Sequence, residues 1–193
     1  MNQLDVAGIG LITGFILTIL ATVAGPPRLY QESDSQIRLK LIRDYSARWL
    51  ASNMLFGLGG LATAAGLILF SLYVRGEVSS TINWLAALGY GLSTVLWLVF
   101  LYNRQVNPAQ LFEEYTFSPF TVALFGLMLI GLLLYGAVYI QVGYPGWLGV
   151  GTVGVTALIG ALALLFPRGF FASFPPQILY MLTLAAGIVF LGR

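Results

Sequence analysis

Apolar runs of about twenty residues, each closed by a short polar or Pro/Gly-rich interval, make up most of this chain. An α-helix rises about 1.5 Å per residue, so about 20 apolar residues cover a hydrocarbon core roughly 30 Å thick. By that ruler the pattern predicts six spans, near 6–25, 50–74, 83–103, 119–141, 147–166 and 176–192. The ten-residue alternation of a membrane β-barrel strand is absent, because the runs are continuous. The expected fold is an all-α integral membrane bundle of about six transmembrane helices. It forms one polytopic domain with short loops and one or two short cytoplasmic or interfacial helices.

The intervals carry their own signals. Gly25-Pro26-Pro27 ends the first span, since proline has no amide donor to continue the ladder. The stretch that follows is the most polar in the protein, and Ser33, Asp34 or Ser35 can cap a helix that runs on into the second span. Lys40, Asp44 and Arg48 recur every fourth residue, the spacing of side-chain ion pairs on a solvated face. Ile37, Leu41, Tyr45 and Trp49 form an apolar stripe beside them, interrupted by Arg38. Two readings stay open for this segment: a cytosolic extension of the second helix, or an interfacial helix that meets anionic lipid or a partner protein. A Tyr-Pro-Gly turn joins spans four and five. Trp49, Trp84 and Trp147, with Tyr30, Tyr102 and Tyr144, fall near span ends, as in an aromatic belt.

Composition sharpens this picture by exclusion. Of 193 residues, 59% are hydrophobic and 8% charged, against about 25% charged in a soluble domain. Without cysteine there is no disulfide, thiolate metal site or cysteine nucleophile, and without histidine no His-ligated haem or Ser-His triad. No cofactor is expected. The net charge of +2 reflects a few basic loop residues and does not point to nucleic acid. The N-terminal apolar run lacks a basic leader and is span-length, so it reads as an uncleaved first helix.

Two candidate surfaces remain. Helices in lipid gain little hydrophobic energy against each other, so small residues that let backbones approach become the packing signal. Gly10, Gly14, Thr18 and Thr22 form such a stripe on the first span, suited to bundle packing or to a partner. Gly59-Thr63 and Gly60-Ala64 on the second span, and Thr152, Thr156 and Gly160 on the fifth, have the same character. The second surface is a cytoplasmic polar face: Arg43, Asp44, Arg48, Arg104, Glu113 and Glu114. Adjacent helical residues point about 100° apart, so Glu113 and Glu114 do not converge on one metal ion. None of the nine basic and seven acidic residues falls securely at a span centre, where proton relays and ion pathways place them.

Asn107-Pro108-Ala109 repeats the triplet found twice in aquaporins, where paired half-helices meet at the membrane midplane. Here it occurs once, followed by Gln110 and two glutamates that would be costly to bury. Asn as N-cap, Pro at the first helical position and acids in the first turns describe a short cytoplasmic helix instead. The functional expectation is a non-catalytic integral membrane subunit that scaffolds, anchors or stabilises a larger complex. It would work with membrane lipid and with a protein partner or a second copy of itself. The alternatives are a small transporter or channel, and a lipid-interacting protein acting through its Arg/Glu face.

Seven basic residues (Arg28, Arg38, Lys40, Arg43, Arg48, Arg104, Arg168) lie in odd-numbered loops, against Arg75 and Arg193 on the other side. The positive-inside rule then places both termini outside the cytoplasm. In this cysteine-free chain, Ser33→Cys and Gln110→Cys should react with an impermeant thiol reagent only from the cytoplasmic face, and Ser79→Cys only from the opposite one. The reverse pattern would invert the topology.

Overall fold

The computed structural model describes residues 2–29, 31–32, 34–74, 76, 80–109, 118–165 and 177–193. Among them the chain forms seven helices and no strand: α1 (Gln3–Ala24), α2 (Ser35–Asp44), α3 (Ser46–Tyr73), α4 (Ser80–Val106), α5 (Pro119–Gln141), α6 (Gly146–Leu165) and α7 (Gln177–Leu191). Five of these, α1 and α3 to α6, are long and apolar enough to cross a membrane. The sixth predicted span corresponds to α7, whose 15 residues reach about 22 Å, short of a full crossing. Large apolar side chains such as Val23, Met54, Leu88, Val150 and Leu158 point outward, while threonines, serines and asparagines are buried. That distribution suits a bundle surrounded by hydrocarbon.

The helix ends follow local chemistry. Asn2 and Asp5 form a reciprocal capping box on α1, with Asn2 Oδ1 accepting from the Asp5 amide at 2.8 Å and Asp5 Oδ2 from the Asn2 amide at 2.7 Å. Ser118 caps α5, with Pro119 in the first turn. At the other end of α5, Gly143 adopts φ 75. The amides of Gly143 and Tyr144 bond back to the carbonyls of Ile140 and Tyr139. This is a Schellman stop that needs a left-handed residue.

The polar segment before α3 departs from expectation. Asp34 does cap a helix, its carboxylate accepting from the Gln36 and Ile37 amides at 2.7 and 3.1 Å. That helix, α2, does not run on into the span. Tyr45 leaves helical geometry at φ −119, ψ 41, and α3 starts afresh at Ser46. The break puts Arg48 on a different helix from Lys40 and Asp44, so their fourfold spacing does not make one face.

Neighbouring helices form a closed circuit, α1–α3–α4–α5–α6–α7 and back to α1, with the α6–α7 seam the loosest. Glycines set its tightest joints. Thr18 on α1 and Thr63 on α3 each donate to the carbonyl four residues back, Gly14 O at 2.9 Å and Gly59 O at 3.0 Å. Each threonine lies over the other helix's glycine: a Cβ on Gly14 would stand 2.0 Å from Thr63 Oγ1, and one on Gly59 2.8 Å from Thr18 Oγ1. Gly8 meets Gly187 of α7, and Gly136 meets Gly149 across α5 and α6, equally closely. Inside the ring Phe70 stacks on Phe190 with centroids 4.6 Å apart and is flanked by Tyr135, Tyr139 and Tyr144.

Gly14→Ala should therefore destabilise the bundle by about 1–3 kcal/mol, the usual cost of overpacking. Gly151→Ala on α6 has open space at the new methyl and should be neutral or stabilise by up to about 1 kcal/mol, the helix-propensity difference. Unfolding in mixed detergent–SDS micelles, followed by circular dichroism, reads both. Equal midpoints would show that the α1–α3 contact does not limit stability.

Candidate functional site

Polar side chains gather where α1 ends, α3 begins and α4 ends. Ser52 donates to Ala21 O at 2.7 Å, tying α3 to the last turn of α1. Arg48 extends the tie: its Nε and Nη2 donate to Ala24 O and Val23 O at 3.1 and 3.2 Å. These carbonyls belong to the open C-terminal end of α1, which carries partial negative charge and favours a cation. Asn53 Nδ2 reaches Gln105 Oε1 on α4 at 2.6 Å. Trp97 Nε1 donates to Phe56 O at 3.3 Å, and the two rings meet edge to face.

Arg104 lies at the centre of this group. It stands in the last turn of α4, where its charge complements the helix dipole, and it is only 6% exposed. Its guanidinium lies over the Trp49 ring, 4.1 Å from the centroid, with Phe56 at 5.7 Å. A planar, weakly hydrated guanidinium suits such a seat better than an ammonium would.

The two predicted surfaces thus separate into different environments. Gly10, Gly14 and Thr18 are spent on the α1–α3 contact, with Gly10 against Ala62 O and Gly66. Thr22 is half-buried in the last turn and donates to Thr18 O at 3.1 Å. Of the polar face, Arg48 and Arg104 both join the cluster at the start of α3, but Arg104 is buried instead of solvated. Arg43 and Asp44 are exposed at the end of α2. Glu113 and Glu114 lie outside the described residues, as does most of the segment after the Asn-Pro-Ala triplet. Asn107 donates its amide to Asn103 O at 2.8 Å but lies outside α4, which ends at Val106, and helix resumes at Pro108 and Ala109, the positions expected for an Asn-Pro helix start. Trp49 is buried, whereas Trp147 and Tyr102 are well exposed, so only part of the expected aromatic belt faces outward.

Ser71, Tyr90, Ser93, Thr94, Tyr135, Thr183 and Tyr180 are polar residues within apolar runs, with no spacing that marks them as a site. In the structure these residues wire the interior. Tyr135 hydroxyl bonds Ser71 Oγ at 2.9 Å and donates to Leu67 O at 3.1 Å. Asn83 Nδ2 donates to Ser71 O at 2.7 Å. Ser93 and Thr94 both donate to Tyr90 O, Thr183 donates to Tyr180 O, and the Tyr180 side chain meets Thr18. A cavity of about 20 Å³ between Tyr90, Ser93, Trp97, Met128 and Tyr180 has room for about one water. Among the described residues, no group of three or more acidic side chains is placed to hold a metal ion. Gln105 and Trp97 were also missed, because a partner fifty residues away in sequence leaves no local signal.

Among the described residues these features define an all-helical bundle with five helices suited to crossing a membrane and one buried, ring-stacked arginine. No protein-family model matches the chain, and no curated protein or solved structure matches it significantly.

Removing the guanidinium leaves the Trp49 face bare. Arg104→Ala should cost about 2 kcal/mol, the worth of a desolvated cation–π contact, and Arg104→Lys should recover only part of it. SDS unfolding midpoints measure this, and a midpoint for Arg104→Ala equal to wild type would show that the stacked charge adds nothing to stability.

Proposed function

We propose that this protein is a non-catalytic integral membrane subunit that scaffolds or stabilises a larger membrane complex, with both termini outside the cytoplasm. The observation that carries the reading is the contrast between glycines inside and outside the ring. The glycine pairs at the α1–α3, α1–α7 and α5–α6 joints are each covered by a neighbouring backbone. Gly151 and Gly154 on α6 are uncovered, flanked by exposed Val150 and Leu158. The span α6 is also the least buried of the five long apolar helices. A small-residue pair bordered by outward aliphatic side chains gives another transmembrane helix room for close approach. The ring-filled interior and the one-water cavity support a body that holds its shape, in keeping with a structural role.

Purification in mild detergent tests this. A partner chain, or a second copy, should co-purify in fixed stoichiometry. Gly154→Leu should release it while the unfolding midpoint stays near that of wild type. A lone, monodisperse protein, or a partner retained unchanged by Gly154→Leu, would overturn the assignment.

A further inference from the structure

Just beyond α1 the chain makes two tight turns, with Leu29 N donating to Pro26 O at 3.3 Å and the Gln31 and Glu32 amides both donating to Arg28 O at 3.0 Å. Arg28 sits between them at φ 62, a left-handed conformation that side chains other than glycine, asparagine and aspartate seldom adopt. The turns enclose a cleft of about 340 Å³ lined by Thr22, Pro26, Arg28, Leu29, Gln31 and Arg48, among others. That volume lies within the roughly 300–1,000 Å³ of small-molecule sites.

The cleft is basic. It has two guanidinium groups and no carboxylate among its described lining residues. Arg48 is fixed in orientation by its bonds to the α1 carbonyls. Arg28 is exposed, and among the described residues no side chain bonds or pairs with its guanidinium. A cleft lined by two arginines, one of them in a strained backbone conformation, is an arrangement that a bound anion stabilises. The cleft lies at the end of an apolar 22-residue helix, at headgroup depth if α1 crosses the membrane. Exposed Val23, Leu50 and Met54 lie on the adjoining helical turns. An anion held there would have a polar end among arginines and hydrocarbon alongside.

We propose that the Arg28–Arg48 cleft binds the phosphate headgroup of an anionic phospholipid. The guanidinium groups grip the phosphate oxygens, and the acyl chains run down the outer face of α1 and α3. The site is independent of the scaffold reading, because it uses no residue of the α6 face.

The test is native mass spectrometry of the full chain titrated with phosphatidylglycerol or phosphatidylcholine in the same detergent. Wild type should retain phosphatidylglycerol preferentially. Arg28→Gln, which removes no bond between described residues, should weaken that retention about tenfold, the loss expected for one hydrogen bond to a charged group. Lys40→Gln, the same charge change at an exposed α2 position, should leave it unchanged. Equal retention of the two lipids, or equal loss in both variants, would overturn the site. Displacement of phosphatidylglycerol by low-millimolar inorganic phosphate would overturn the lipid assignment in favour of a soluble phosphate ligand.

Discussion

The contact between Gly14-Thr18 of α1 and Gly59-Thr63 of α3 is the constraint on which the rest of the bundle is arranged. Hydrocarbon solvates an apolar helix as well as another helix does, so association must come from close packing and from polar atoms with no better place to go. Here both requirements are met at one point. Each glycine admits the other helix's backbone, and each threonine hydroxyl is satisfied within its own helix, so nothing unsatisfied is trapped in the joint. With the two helices this close, Ser52 reaches Ala21 O and Arg48 reaches the last carbonyls of α1. The polar end of the bundle is a consequence of the small-residue joint further along.

The interior obeys the same economy. Several of its hydroxyls return to carbonyls of the preceding turn, which leaves the long-range polar links to a few residues, among them Ser52 to Ala21 O, Trp97 to Phe56 O, Tyr135 to Ser71 and Leu67 O, Asn83 to Ser71 O, and Asn53 to Gln105. The aromatic rings around Phe70 fill the space that these links would otherwise leave open. Among the described residues Arg104 is the one case in which a full charge is taken inside, and ring faces and the dipole of its own helix help to accommodate it.

Much of this architecture was legible from the residues alone. Run length located five long helices to within a few positions, because hydrocarbon thickness is a ruler that sequence must match. The fourth expected span, 119–141, coincides with α5. The break at Tyr45 was not legible, since the apolar stripe through Ile37, Leu41, Tyr45 and Trp49 has helical spacing on both sides of it. The burial of Arg104 was also hidden. Its neighbours in sequence are polar, and the rings that shelter it come from α3, about fifty residues earlier. The arginine cleft depends on the backbone angle of Arg28, which no residue pattern encodes.

The pairing of Gly8 with Gly187 carries a consequence for biogenesis. It joins α1 to α7, so α1 keeps one flank of its glycine face vacant until α7 has been made. A ribosome stalled anywhere before α7 would release an open horseshoe with bare backbone facing lipid. Such an intermediate presents the features that membrane quality control recognises, and docking of α7 is the step that removes them.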